Sequence, residues 1–394
     1  FLTYSENLKA WKKILKSIGL FFGLIIFVIV AYVIFVFSSY YRIEAKQTLE
    51  IENNQSNDTI DVSKEYTIST YNIGFGAHSQ DYTFFMDSGE TKEGKETKGK
   101  WSKARSKEEV QFNTSNAIQT IIDLNPDICL FQEVDTSSTR SHFIDQYQMI
   151  KNSFNNYSST FGVNFHSVYL PYPLHDMHGR VNAGIATLSR YKIESSTRYS
   201  LTVAEDFSKL FDLDRCFVAN EIQTSNDNKL IIVNIHMSAY DEGGIIREKQ
   251  LNELNSYLED VKQKGYYVIV GGDFNHDLLI NNPLYNYSET TNPFINYISH
   301  KKPVWLQMFF KDDKTCDITE GYQVICSSNA PTSRDISVEW EIGQGYVTTI
   351  DGFIISDNIE VVSCNTVVTK GGNKDLDHFA FSDHDPVILK FKFK

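Results

Sequence analysis

Six short apolar runs in this chain of 394 residues each end at, or open from, a carboxylate, an amide or an imidazole: Asn72, Glu133, His236, Asp273 with Asn275, Asp351, and the pair Asp383-His384. Runs such as Tyr66–Tyr71, Leu230–Ile235 and Tyr266–Val270 are rich in β-branched and aromatic residues, which reads as buried strands. Asn and Asp are ordinary turn residues, so each site taken singly has a bland reading. Six along one chain argue against independent turns, because charged groups beside buried strands are costly unless they pair or share a cation. The stretch Gly271-Gly272-Asp273-Phe274-Asn275 is the organising one. Its strand delivers Asp273 and Asn275 two residues apart on one face, and the glycines permit a tight turn. A carboxylate and an amide on a rigid strand end can hold a hard cation, a water or a phosphate oxygen.

Ahead of the strands, Ile18 to Phe37 is free of charge. As a helix this stretch would span roughly 30 Å, the hydrocarbon thickness of a bilayer. Lys9, Lys12, Lys13 and Lys16 precede it, whereas Arg42 and Lys46 beyond it are accompanied by Glu44 and Glu50. The positive-inside rule predicts a cytoplasmic tail over 1–17, a single transmembrane anchor over 18–37, and an extracellular remainder. A cleaved signal peptide is the rival reading; Ser38-Ser39-Tyr40-Tyr41 is not a small-residue cleavage site, which favours an uncleaved anchor. Residues 38–63 are polar without apolar periodicity and are expected to be a linker, leaving 64–394 as the folded domain. No obligate protein partner is evident.

Within that domain, Ser106-Lys107-Glu108-Glu109 has the form of a capping box, and Pro126 stops the helix behind it. A further helix is expected from about 142 to 153. Strands over 158–169, 181–189, 192–201, 215–223 and 230–236 follow one another at antiparallel spacing. A helix over 244–264 places Leu251, Leu254, Leu258 and Val261 on one face. Residues 276–345 read as a long insertion with short helices and the apolar segment Val304–Phe310. The five cysteines fit no zinc spacing, and Cys316 and Cys326 are close enough in sequence for a disulfide. The net charge of −13 argues weakly against a nucleic-acid binder held by bulk electrostatics, although a local patch or a bound metal can override it.

The chain has no Gly-x-Ser-x-Gly elbow, Walker A loop or His-Glu-x-x-His. Its carboxylate- and amide-rich set suits Mg²⁺ or Mn²⁺. The segments Thr70-Tyr71-Asn72-Ile73, Phe131-Gln132-Glu133-Val134, Asn234-Ile235-His236, Gly272-Asp273-Phe274-Asn275, Ile350-Asp351-Gly352-Phe353 and Ser382-Asp383-His384-Asp385-Pro386 resemble, in order, those of the endonuclease/exonuclease/phosphatase superfamily. That superfamily includes deoxyribonucleases, apurinic endonucleases, sphingomyelinases and inositol-polyphosphate 5-phosphatases. Ala330-Pro331-Thr332 also resembles a Pro-Thr element that many members carry before the Asp351-type strand. The resemblance implies an α/β (α+β) fold, a two-sheet β-sandwich flanked by helices, with the site at one rim. It implies Mg²⁺ held chiefly by Glu133 with Asn72 and Asp383. Asp273 would orient or deprotonate the attacking water, and Asn275 would stabilise the phosphate or the leaving oxygen. His384, paired with Asp351, and His236 would contact phosphate oxygens and transfer protons.

Departures bear on substrate. The 5-phosphatase signature after the Asp-x-Asn strand is absent, as is the Cys-Asp-Arg element at the Asp351 position, which counts against an inositol phosphatase. Arg140 and Arg180 are candidates for binding the substrate phosphate, and His175 and His178 for extending the site or binding a second metal. The expected function is a membrane-anchored, outward-facing phosphodiesterase acting on a phospholipid head-group diester or on nucleic acid. A small-phosphoester monoesterase and a non-catalytic surface binding module of the same fold are the alternatives. The completeness of the catalytic set argues against the latter.

Overall fold

Side-chain alternation along the strands decides how this chain layers. The computed structural model describes residues 2–204, 214–239 and 241–394. It divides into two units, Phe1–Arg42 and Ile43–Lys394. The first is the helix α1 (Leu2–Ser39), long and apolar enough over Asn7–Ser39 to cross a membrane.

The second unit holds two main sheets. In chain order the strands are β1 (Lys46–Thr48), β2 (Glu65–Asn72), β3 (Ile128–Asp135), β4 (Ser158–Leu170), β5 (Gly179–Ser189), β6 (Ile193–Ser200), β7 (Cys216–Gln223), β8 (Lys229–His236), β9 (Tyr267–Asp273), β10 (Tyr322–Ile325), β11 (Asp351–Ser356), β12 (Ile359–Thr366) and β13 (Val387–Phe393). One sheet runs β1-β6-β7-β8-β9-β11-β10 and the other β12-β13-β2-β3-β5-β4. The helices are α2 (Lys107–Leu124), α3 (Gln146–Ser153) and α4 (Ile245–Gln263). Within these two sheets, β2 with β3 and β8 with β9 are parallel pairs. Parallel neighbours need a crossover, and α2 and α4 supply it.

Alternate residues of each strand face different partners. Leu230 and Ile232 of β8, Ile269 of β9 and Phe353 of β11 pack against Ile68 of β2, Leu130 of β3 and Leu389 of β13, which forms the layer between the sheets. The intervening residues Ile231, Val233, Val268 and Val270 meet Leu254, Leu258 and Val261 of α4. On the other side, Cys129 and Phe131 meet Ala117, Ile118 and Ile121 of α2 and Ile150 of α3. Burying a leucine such as Leu254 stabilises the fold by roughly 1.5–3 kcal/mol. The result is the expected sandwich of two sheets between helices. Ser106 caps α2 by accepting from Glu109 N at 3.1 Å, and Asn125 closes it in the left-handed conformation.

One expectation is corrected, and two open readings become definite. The stretch read as a linker is not free of the domain: β1 pairs with β6, Glu52 bridges Ser159, and Ile60 is buried and bridges Thr224. An edge strand held by backbone hydrogen bonds needs no apolar periodicity, so its side chains gave no sign. Residues 276–345 hold the expected short helices as the 3-10 turns Glu289–Thr291 and Ile295–Tyr297, but also short paired strands and β10, which pairs with β11 in a main sheet. Their order comes from Leu278, Phe294, Leu306, Phe309 and Phe310, which join the core on the α4 face, so Val304–Phe310 contributes Leu306, Phe309 and Phe310 to the core; Val304 itself is 77% exposed. Cys316 and Cys326 are free thiols, and Cys326 Sγ donates to Leu278 O at 3.4 Å.

Gly272 shows how tightly the carboxyl end of β9 is built. Its φ is +152°, and a Cβ there would lie 1.9 Å from Ile235 O on the neighbouring strand. Gly272→Ala must therefore break the pairing of His236 with Asp273 or move β8 away. We expect it to destabilise the domain by more than about 3 kcal/mol in urea unfolding; a change below about 1 kcal/mol would contradict this register of β8 on β9.

Candidate active site

Register places three of the six sequence sites in a row. His236 lies opposite Asp273, and Asp273 lies opposite Asp351, across β8, β9 and β11. Each is an even number of residues from a side chain between the sheets (Ile232, Ile269 and Phe353), so all three point into that layer at one rim. Asn72 does the same from the facing sheet, four residues beyond Ile68. Its Nδ2 donates to Asp273 Oδ2 at 3.0 Å and to Glu133 Oε1 at 3.3 Å, linking the two sheets. Beneath it, Gln132 Nε2 donates to Asn234 Oδ1 at 2.8 Å, a second polar tie between the sheets.

Strict alternation would send Glu133 outward, with Phe131. A bulge between Phe131 and Val134 and a left-handed φ of +54° at Glu133 turn it towards Asn72 instead. Such strain in a non-glycine residue costs on the order of 1–3 kcal/mol and concentrates at functional sites. Asn275 also has positive φ (+49°); its N–H donates to Asp273 Oδ1 at 2.9 Å and its Nδ2 to Met237 O at 2.9 Å.

The loop before β13 brings in the last pair. Ser382 Oγ donates to Asn72 O at 2.8 Å, which docks Asp383 and His384 on β2. His384 Nδ1 donates to Asp351 Oδ2 at 2.8 Å, leaving Nε2 directed at Asp273 Oδ2, 3.7 Å away, and at Asp383 Oδ2, 4.0 Å away. Thr332 fixes Asp351 in turn: its Oγ1 accepts from Ile350 N and Asp351 N at 3.0 and 3.1 Å.

These contacts set protonation. Burial pulls the His384 imidazole down, but Asp351 and Asp383 outweigh it and hold His384 well above its ordinary value. His236 goes the other way, pushed well below its ordinary value by burial and then by the Arg215 charge. Burial and then Asp351 push the Asp273 carboxyl up to about 7. Against burial, the His78 and His384 imidazoles hold Asp383 well below the usual carboxylate range. The site thus contains a charged imidazole, a neutral one, and a carboxyl poised near neutrality, an arrangement suited to proton transfer.

A cavity of about 760 Å³ opens over these groups, lined by Glu133, His236, Asp273, Asn275, Asp383 and His384. Its remaining walls include Phe75, Phe84, Phe165, Ile246 and Trp305, with Met86 and Ile245 exposed at the mouth. Trp305 belongs to the apolar segment Val304–Phe310 noted in the sequence; the other walls, together with Arg215, Arg334 and His78, went unnoticed because none belongs to a recognisable motif. Arg334 is buried and donates to Ser79 O and Tyr82 O at 2.9 and 3.3 Å, tying the long loop after β2 to the site; burial lowers it to about 10.

The two arginine candidates separate. Arg140 lines the cavity but is committed to Asp135, at 2.8 and 3.1 Å, and lies over the Phe75 ring at 4.0 Å. Arg180 is outside the cavity lining; it is exposed and donates to Ser137 Oγ at 3.0 Å. Arg140→Ala strands a fully buried Asp135 and is expected to cost roughly 3–5 kcal/mol in chemical unfolding, while Arg180→Ala stays within about 0.5 kcal/mol and leaves turnover unchanged. A specific loss of turnover in Arg180→Ala would restore it as a substrate contact. His178 lines the cavity, with Nδ1 donating to Ser102 O at 2.5 Å and burial pulling it down to about 4, whereas His175 is exposed. The two join no carboxylate in a metal-ligand group among the described residues.

The donor set fits a divalent cation. Asp273, Asp351 and His384 place ligand atoms within 4.8 Å of one another, and Asp351 Oδ1 is buried with no hydrogen-bond partner. His384 Nδ1 is engaged by Asp351, however. Asn72, Glu133 and Asp383 add an amide and two carboxylates. All-oxygen sets of this kind suit hard cations.

The fold and this rim of acids, amides and imidazoles support a phosphodiesterase-type hydrolase. The chain belongs to the endonuclease/exonuclease/phosphatase family, whose model matches residues 70–384. No curated protein matches it by sequence. Among solved structures, ANGEL2, a 2′,3′-cyclic phosphatase in complex with adenosine-2′,3′-vanadate, is similar with a TM-score of 0.52 at 14% identity, covering 88% of this chain and 98% of that one. An endonuclease/exonuclease/phosphatase from Beutenbergia cavernae has a TM-score of 0.51 at 14% identity, covering 84% of this chain and 72% of that one. D. rerio TDP2 complexed with single-strand DNA product has a TM-score of 0.50 at 11% identity, covering 84% and 99%. At these identities the likeness is one of fold.

Proposed function

We propose that the chain is a Mg²⁺-assisted phosphodiesterase displayed on the outer face of a membrane by α1. The observation that carries this is the facing of His384, charged by Asp351, and Asp273, poised near neutrality, across 3.7 Å on the floor of one cavity. In its ionised form Asp273 accepts a proton from a water whose oxygen attacks phosphorus. The ester P–O bond opposite breaks, and the leaving oxygen takes a proton from the imidazolium of His384. Neutral His236 and the amide of Asn275 orient the phosphate oxygens. Asn72, Glu133 and Asp383 are the residues that would hold the cation, which when bound neutralises charge on the phosphate.

A phospholipid head-group diester is the substrate class best supported. Met86 and Ile245 are exposed at the cavity mouth, Val304 is exposed beside the cavity residue Trp305, and the net charge is −13. Exposed apolar groups around a mouth favour contact with lipid. A nucleic-acid substrate is the second reading, favoured by Arg140, Arg215 and Arg334 in the cavity wall. Choline and ethanolamine phospholipid vesicles, offered with Mg²⁺ beside plasmid DNA, separate the two: lipid turnover without nicking is expected, and nicking alone would select the second.

A further inference from the structure

The residue His78 lies in the loop after β2 and in no motif that the site otherwise uses. It is buried, in a nest of aromatic rings: Phe75 at 4.8 Å between centroids, Tyr82 at 5.1 Å and Phe84 at 5.9 Å. One of its polar atoms is committed. Nδ1 lies 2.6 Å from Asp383 Oδ1, and since a carboxylate only accepts, Nδ1 carries the proton. Its Nε2 is buried without a hydrogen-bond partner, so the ring is kept in place at the cost of an orphaned polar atom. The backbone makes room for this contact. A Cβ on Gly74, which has a φ of +51°, would lie 2.8 Å from His78 Nδ1 and 3.0 Å from both Asp383 Oδ1 and Ser382 Oγ. Only glycine lets the loop pass so close to the pair.

Asp383 has two oxygens and two directions to face. With Oδ1 taken by His78, Oδ2 is left on the cavity side, 4.0 Å from His384 Nε2. We propose that His78 is a positioning residue that locks the Asp383 carboxylate with Oδ2 towards the site, so that Asp383 meets a divalent cation preorganised. The inference rests on the reading of Asp383 as a cation ligand. Outer partners that orient a ligand carboxylate are typically worth about 10–100-fold in metal affinity.

The test is Mn²⁺ binding by the full-length chain in detergent, read from the electron paramagnetic resonance signal of free Mn²⁺, with kcat followed in parallel. His78→Phe keeps a ring in the nest and removes Nδ1; His78→Leu serves the same purpose should the phenyl ring not be accommodated. We expect either to weaken Mn²⁺ binding about 10–100-fold with the melting temperature held, and His78→Asn, which restores an N–H donor, to recover most of the loss. Wild-type affinity in His78→Phe or His78→Leu, with Asp383→Asn weakened, would overturn the inference alone. Unchanged affinity in Asp383→Asn would overturn the ligand assignment, and the inference with it.

Discussion

His384→Ala is expected to lower kcat by about 10³-fold or more, with KM much less changed. The argument is geometric before it is electrostatic. His384 Nδ1 is held by Asp351 at 2.8 Å, and Asp351 is itself held at the start of β11 by Thr332. Nε2 therefore has one direction to face, into the cavity between Asp273 and Asp383. The surrounding carboxylates keep the ring charged at neutral pH, so the donated proton is present before substrate arrives. Alanine removes both the proton and the charge that faces the phosphate. Asp351→Asn should give a smaller loss of the same kind, because the ring remains but loses the acceptor that orients and charges it. A loss under tenfold in His384→Ala would remove His384 from the mechanism.

Glu133→Gln is expected to abolish metal-dependent turnover while leaving the fold intact. The substitution is isosteric, and Glu133 is half-buried, with the hydrogen bond from Asn72 Nδ2 at 3.3 Å as its described contact. An amide oxygen can still accept that bond, so unfolding measured without metal should shift by less than about 0.5 kcal/mol. What is lost is the negative charge that the bulge in β3 directs to the site. Full activity in Glu133→Gln would refute the metal assignment.

Much of this site was legible because its chemistry is local. Asn72, His236, Asp273 and Asp351 stand at ends of apolar strands, and even spacing from Ile68, Ile232, Ile269 and Phe353 fixes their common face. The two-sheet architecture followed from the family resemblance, the runs themselves giving only the strands. Other features depend on contacts that sequence spacing does not carry. Glu133 reaches the site through a bulge, which strict alternation would misplace. Arg140 looked like a free phosphate ligand because its partner Asp135 meets it only across a 3-10 turn. The pairing of Lys46–Thr48 with β6 uses backbone groups, which leave no mark on side-chain pattern. His78 is recruited to Asp383 from 305 positions away. The one local hint was its place just after Gly74 and Gly76, where positive φ signals a loop folded closely on something.

The most direct test of the central claim is phosphodiester cleavage by the full-length chain in detergent, measured with Mg²⁺ and again after EDTA, on phosphatidylcholine and sphingomyelin vesicles and on plasmid DNA. The account predicts release of the phosphorylated head group that EDTA stops and fresh Mg²⁺ restores, with little plasmid nicking. Cleavage that persists in EDTA, or no cleavage of any diester by a folded protein shown to bind Mn²⁺, would contradict it.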